Sequence, residues 1–102
     1  MEFSVDAWVR AGQGLVCVAG ELDVGTAPQL GQALAEVLRL GGALIVLDLA
    51  GVTFMDCTGL GVVLRARDAS LLRGGGLRLV GMSARVRTLL TLTGTQSLAV
   101  SA

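Results

Sequence analysis

Leu44-Ile45-Val46-Leu47-Asp48-Leu49-Ala50-Gly51-Val52-Thr53-Phe54-Met55-Asp56-Cys57-Thr58-Gly59-Leu60-Gly61 is the stretch whose reading decides the fold. Its first four residues are an unbroken apolar run of strand formers, the pattern of a strand buried on both faces of an α/β sheet. Asp48 closes that run and reads as a capping or pairing carboxylate. The chain then enters a helix through Asp56-Cys57-Thr58-Gly59. Leu60, Val63, Leu64 and Leu71 recur on one side of this helix, and Gly74-Gly75-Gly76 ends it. A strand followed by a helix of this length implies a crossover to a parallel neighbour.

Working outward, residues 3 to 10 alternate, with Phe3, Val5, Ala7 and Val9 against Ser4, Asp6, Trp8 and Arg10. This is a strand period, and Gly12-Gln13-Gly14 turns it into a second strand over Leu15 to Ala19, giving an antiparallel hairpin. After Gly20-Glu21-Leu22-Asp23, Thr26 and Gln29 have the spacing of a capping box, and Pro28 falls in a first helical turn, where its missing N–H costs nothing. Leu30, Leu34, Val37 and Leu38 mark the buried face of that helix, and Gly41-Gly42 stops it. Downstream, Leu77 to Val80 reads as a short strand. Ser83 reads as the N-cap of a third helix carrying Val86, Leu89 and Leu90, and Leu98-Ala99-Val100 as a last short strand. The order β-β-α-β-α-β-α-β predicts a single α/β domain over residues 1–102, with a mixed sheet of four to five strands.

Composition narrows the chemistry. The 102 residues carry eight basic and eight acidic groups, so the formal charge is zero and bulk electrostatics draws in neither nucleic acid nor an anionic membrane. Only 16% of residues are charged against a usual share of roughly 25%, which leaves ample material for one packed core. All eight basic residues are Arg and there is no His. The chain therefore lacks a P-loop or Schiff-base lysine, a His-based triad and an ordinary zinc set, and no metal or cofactor is expected. Arg39, Asp48, Asp56 and Arg65 interrupt the apolar middle before it reaches the roughly 20 residues of a membrane span. Glu2 and Asp6 precede the first Arg, unlike the basic start of a secretory signal, so a cytoplasmic location is expected.

Cys17 and Cys57 lie forty positions apart, in neither a redox nor a metal spacing. Cys17 is read as core. Cys57 is read as a small, semi-buried stand-in for a hydroxyl residue that reacts slowly with thiol probes, rather than as a redox sensor. Gly74-Gly75-Gly76 has no nucleotide-binding context and is a turn. Arg85 and Arg87 read as solvated surface of the third helix.

Chemistry concentrates where the long strand meets its helix. A carboxylate, a thiol and a hydroxyl are presented there at a helix N-terminus, where free N–H groups and the dipole favour an anion, including a phosphate on Thr58. The same residues also serve a blander purpose, in which Asp56 or Thr58 caps the helix and the glycines relieve crowding. The two readings are compatible.

Three segments together, Gly20-Glu21-Leu22-Asp23 with Thr26-Ala27-Pro28, the strand ending Leu47-Asp48-Leu49, and Phe54-Met55-Asp56-Cys57-Thr58-Gly59-Leu60-Gly61, resemble the STAS domain of bacterial anti-sigma factor antagonists. Ala84-Arg85-Val86-Arg87 through Leu92-Thr93-Gly94 fits the same family, so the resemblance runs over roughly residues 1 to 95. It implies a non-enzymatic switch. The unphosphorylated antagonist binds an anti-sigma factor that is also an ATP-dependent serine/threonine kinase, and so frees the sigma factor. Phosphorylation of the hydroxyl before Gly-Leu-Gly, here Thr58, ends binding, and a PPM-type phosphatase resets it. Asp23, Asp56, Cys57, Gly59, Leu60 and Gly61 are implied as partner contacts. This chain differs from the family pattern in having Cys57 for a serine and a threonine as acceptor. It also ends at Ala102, where relatives continue into a C-terminal helix. The rival reading is a STAS subunit that assembles with a transporter ATPase or a signalling scaffold without being phosphorylated.

Overall fold

In a computed structural model, residues 2–98 are described. β1 (Ser4–Arg10) and β2 (Gln13–Leu22) form the expected hairpin, closed by Ala11 and Gly12, both at positive φ, as a two-residue turn of that hand requires. α1 (Ala27–Arg39) leads to β3 (Leu44–Met55), α2 (Cys57–Leu72) to β4 (Gly76–Val80), and α3 (Ala84–Leu92) to a single 3-10 turn over Gln96–Leu98. The sheet order is β1-β2-β3-β4, with β1 antiparallel to β2 and both crossovers parallel. This is the single mixed α/β domain expected, with four strands. Of the last strand expected over Leu98 to Val100, only its first residue is described. Leu98 lies in the 3-10 turn and is buried, while Ala99 and Val100 fall outside the described residues.

The core has one side. Val16, Val18 and Leu22 of β2, Ile45, Leu47 and Leu49 of β3, and Leu77 and Leu79 of β4 meet Leu30, Leu34, Val37 and Leu38 of α1, together with Leu60 and Val63 of α2. The opposite face of the sheet carries the cross-strand rows Trp8-Leu15-Val46-Arg78 and Asp6-Cys17-Asp48-Val80, all half-buried or exposed. The expectation that Leu44 to Leu47 is buried on both faces is therefore corrected. Ile45 and Leu47 face the helices, but Leu44 is exposed and Val46 half-buried, because α1 and α2 cover one face only. Cys17 is likewise not core. It sits half-buried on the open face, where burial first, and then the carboxylates of Asp48 and Asp6, push its thiol above the ordinary range.

β3 is also longer than its apolar run suggests. Between the Cys17–Asp48 and Ala19–Gly51 pairs it carries one extra residue, and between Gly20–Val52 and Glu21–Phe54 another. Asp48 is thus a mid-strand residue rather than a cap at the strand end. Its Oδ1 accepts the Ala50 N–H at 2.9 Å, satisfying a donor that the first irregularity takes off the ladder.

On α2 the buried positions are Gly59, Leu60, Val62, Val63, Ala66 and Ser70. Leu64 is half-buried and Leu71 is 55% exposed, so the packed stripe is rotated from the leucine pattern toward the small residues that face α1. Ser83 caps α3 as expected, accepting the Val86 N–H, and Val86 and Leu90 are buried.

Candidate functional site

At the end of β3, Asp56 leaves the strand in an extended conformation. Its Oδ1 accepts the Gly59 N–H at 3.0 Å, and its carbonyl starts the α2 ladder with Leu60. Asp56 is thus the cap, and Thr58 is not. Thr58 is exposed, and its hydroxyl has no hydrogen-bond partner among the described residues. Of the two roles that the sequence left compatible, the cap falls to Asp56, and the Thr58 hydroxyl is left unengaged by it. Cys57, in the first turn of α2, is exposed rather than semi-buried, because the helix turns its first residues toward solvent while Gly59 and Leu60 face inward.

Gly59 fixes how deeply α2 is seated. A Cβ there would stand 2.6 Å from Leu22 Cγ and 3.0 Å from the Leu22 carbonyl oxygen, so any side chain would push the helix off the end of β2. The Asp56 N–H donates to that same Leu22 carbonyl at 3.2 Å. Through Leu22, the site is joined to the loop that follows β2. In that loop the expected capping box of Thr26 and Gln29 does not form. Thr26 has helical backbone angles and makes no side-chain cap; instead its hydroxyl accepts the Asp23 N–H at 3.0 Å and donates to the Glu21 carbonyl at 2.7 Å. Asp23 Oδ1 accepts the N–H groups of Gly25 and Thr26 at 2.9 and 3.2 Å. The carboxylate of Asp23 therefore closes its own turn, which holds this half-buried acid in one place at the rim of the site.

Of the predicted residues, Asp23, Asp56, Cys57, Thr58 and Gly61 lie at one end of the domain with at least partial exposure, whereas Gly59 is buried and Leu60 is 3% exposed. Gly59 and Leu60 shape the surface from beneath. Two features escaped the sequence reading. The first is a groove of about 520 Å³ between α1 and α2, lined among others by Val24, Pro28, Leu34, Val62, Ala66 and Thr58 itself. Its trace in the sequence is the run of small residues Ala27, Gly31 and Ala35 at four-residue spacing on α1. The second is Phe54, 36% exposed just before the site, with the Arg85 guanidinium 5.9 Å from its ring centre. Arg85 is exposed, but it rests on an aromatic face rather than lying wholly in solvent. Among the described residues no cluster of His, Cys, Asp and Glu has the make-up of a metal site, and no helix is long and apolar enough to cross a membrane.

The model of the STAS domain matches residues 4–99. The chain belongs to the STAS-domain family. Over 79 residues it is 39% identical to the anti-sigma-B factor antagonist of Listeria monocytogenes, an alignment covering 78% of this chain and 69% of that protein. The anti-sigma-B factor antagonist of Bacillus subtilis is 35% identical over 94 residues, 92% of this chain and 85% of its own. Among solved structures, the anti-sigma factor antagonist SpoIIAA in its unphosphorylated form superimposes with a TM-score of 0.84 at 22% identity, covering 99% of this chain and 88% of that one. The phosphorylated form of the Bacillus cell fate determinant SpoIIAA gives a TM-score of 0.76. These likenesses establish that this chain has the STAS fold, with the sheet and helices in the order described above.

Proposed function

We propose that this STAS protein is an anti-sigma factor antagonist switched by phosphorylation of Thr58. Unphosphorylated, it binds an anti-sigma factor that is also an ATP-dependent serine/threonine kinase, and the sigma factor is freed. The Thr58 hydroxyl oxygen then attacks the γ-phosphorus of ATP held by the kinase. ADP leaves, the hydroxyl proton passes to a base of the kinase, and the chain is released as its phosphothreonine ester. Hydrolysis of that ester by a PPM-type phosphatase restores the binding form. The chain is a substrate and ligand rather than a catalyst, acts in the cytoplasm, and uses no cofactor.

One observation carries this reading. The Thr58 hydroxyl is exposed and unengaged because Asp56 already caps α2, so an incoming kinase meets a free nucleophile on a rigid helix end. The names of the relatives, anti-sigma-B factor antagonists at up to 39% identity, support the partner class. Asp23, Asp56, Cys57 and Gly61 form the contact surface, with Gly59 and Leu60 holding it in shape. A phosphate adds about −1.5 to −2 charges beside Asp56. The positive end of α2 tolerates them within the fold, while a like-charged or desolvating partner surface loses several kcal/mol, about tenfold in affinity for each 1.4 kcal/mol.

Incubation with such a kinase and ATP tests the reading: the chain gains the mass of one phosphate, and Thr58→Ala abolishes the gain. Tight binding of the kinase with no gain in mass would overturn the switch and favour a constitutively assembled STAS subunit.

A further inference from the structure

Arg65 follows Thr58 by seven positions on α2, which places them on one face of the helix, about 10.5 Å apart along its axis. Helical side chains lean toward the N-terminus, so a long side chain at position 65 runs back toward position 58. That is the course Arg65 takes. One of its guanidinium nitrogens, Nη1, lies 3.4 Å from where a Cβ on Gly61 would stand, so the group rests over the bare glycine one turn from Thr58. Thr58 and Arg65 line the same groove between α1 and α2. Arg39 pairs with Glu36 and Arg67 with Asp68, but Arg65 has no ion-pair partner among the described residues. Other charges at this end include the carboxylates of Glu21, Asp23 and Asp56, which repel a phosphate, and Arg85, which is stationed over Phe54.

We infer that Arg65 is the internal counter-cation of a phosphate on Thr58. Arg65, which already reaches back over Gly61, extends further toward the helix start, and its planar guanidinium meets the ester with two N–H donors, the geometry in which Arg and phosphate pair most strongly. Gly61 leaves the path between them open, which gives that glycine a purpose other than close packing. Phosphorylation thereby draws the guanidinium toward the helix start and changes the shape of the groove mouth as well as its charge.

The inference rests on Thr58 as the phosphoacceptor, but its test needs no kinase. The full chain is prepared by semisynthesis with phosphothreonine at position 58, and the phosphate is titrated by 31P NMR in three versions: otherwise unaltered, Arg65→Gln and Arg85→Gln. Losing the pair raises the second phosphate ionisation midpoint in Arg65→Gln by about half a unit to one unit, while Arg85→Gln leaves it within about a tenth of a unit. Equal midpoints in the unaltered and Arg65→Gln chains would overturn the pairing. So would an equal rise in Arg85→Gln, which would mean that any cation at this end acts through bulk charge. A kinase that ignores Thr58 would contradict the proposed switch and leave this result standing, whereas equal midpoints would remove Arg65 and leave the switch intact.

Discussion

Asp56 and Thr58 stand two positions apart, and the carboxylate takes the cap while the hydroxyl is left free for the role proposed above. Because the carboxylate of Asp56 supplies the cap, Asp56→Ala costs about 1 kcal/mol of stability, read from denaturant unfolding. Thr58→Ala, at an exposed position without a hydrogen bond, stays within about 0.5 kcal/mol of the parent and loses only the hydroxyl proposed above as phosphoacceptor. Equal destabilisation by the two changes would contradict this division of roles. The cysteines are separated in the same way by their surroundings. Cys57 is exposed and Cys17 half-buried with a raised thiol pKa, so a thiol reagent at neutral pH labels Cys57 first. A raised pKa keeps the reactive thiolate scarce until higher pH. The labelling rate of Cys17 therefore continues to climb with pH beyond the ordinary thiol range, measured by mass spectrometry of quenched samples. The place of the site was legible in the sequence because Asp, Thr and Gly together after an apolar run mark the start of a helix. Which of Asp56 and Thr58 capped the helix was not, since both residue types serve as N-caps and only the extended backbone at Asp56 decides where the helix begins.

The elements follow the sequence wherever a pattern was long and bounded by glycine, as with α1 between Pro28 and Gly41 and β4 after Gly74. They depart from it in β3 and α2. β3 runs on through Leu49 to Met55 because Asp48 covers a local break in pairing, which no periodicity reveals. The packed face of α2 is set by the approach of α1, so the small Ala66 and Ser70 are buried while Leu71 is left outside. Gly59 and Gly61 make the seating of α2 testable. Gly59→Ala forces a methyl group onto Leu22 and destabilises by about 1–3 kcal/mol through overpacking. Gly61→Ala meets only the movable end of Arg65 and gains up to about 1 kcal/mol of helix propensity. Thermal unfolding that ranks the pair in the opposite order would show that α2 is not held against the end of β2.

For the molecule as a whole, a sheet covered on one side by two crossover helices puts the loop after β2 and the start of α2 at the same end. That is why Val24, next to Asp23, and Thr58, far apart in sequence, line one groove. The zero net charge gains a purpose in this setting. A single phosphate moves the entire domain from neutral to about −1.5 to −2, a larger relative change than in a heavily charged protein of this size. The groove between α1 and α2, which no linear motif announces, supplies apolar contact area beside that charge change. The most direct test of this account is the dissociation constant of the cognate anti-sigma factor kinase for the unmodified chain and for the chain phosphorylated at Thr58, measured side by side by calorimetry at one ionic strength. The account predicts that phosphorylation weakens binding by about a hundredfold or more, with the circular dichroism of the two forms superimposable. Equal dissociation constants would contradict it.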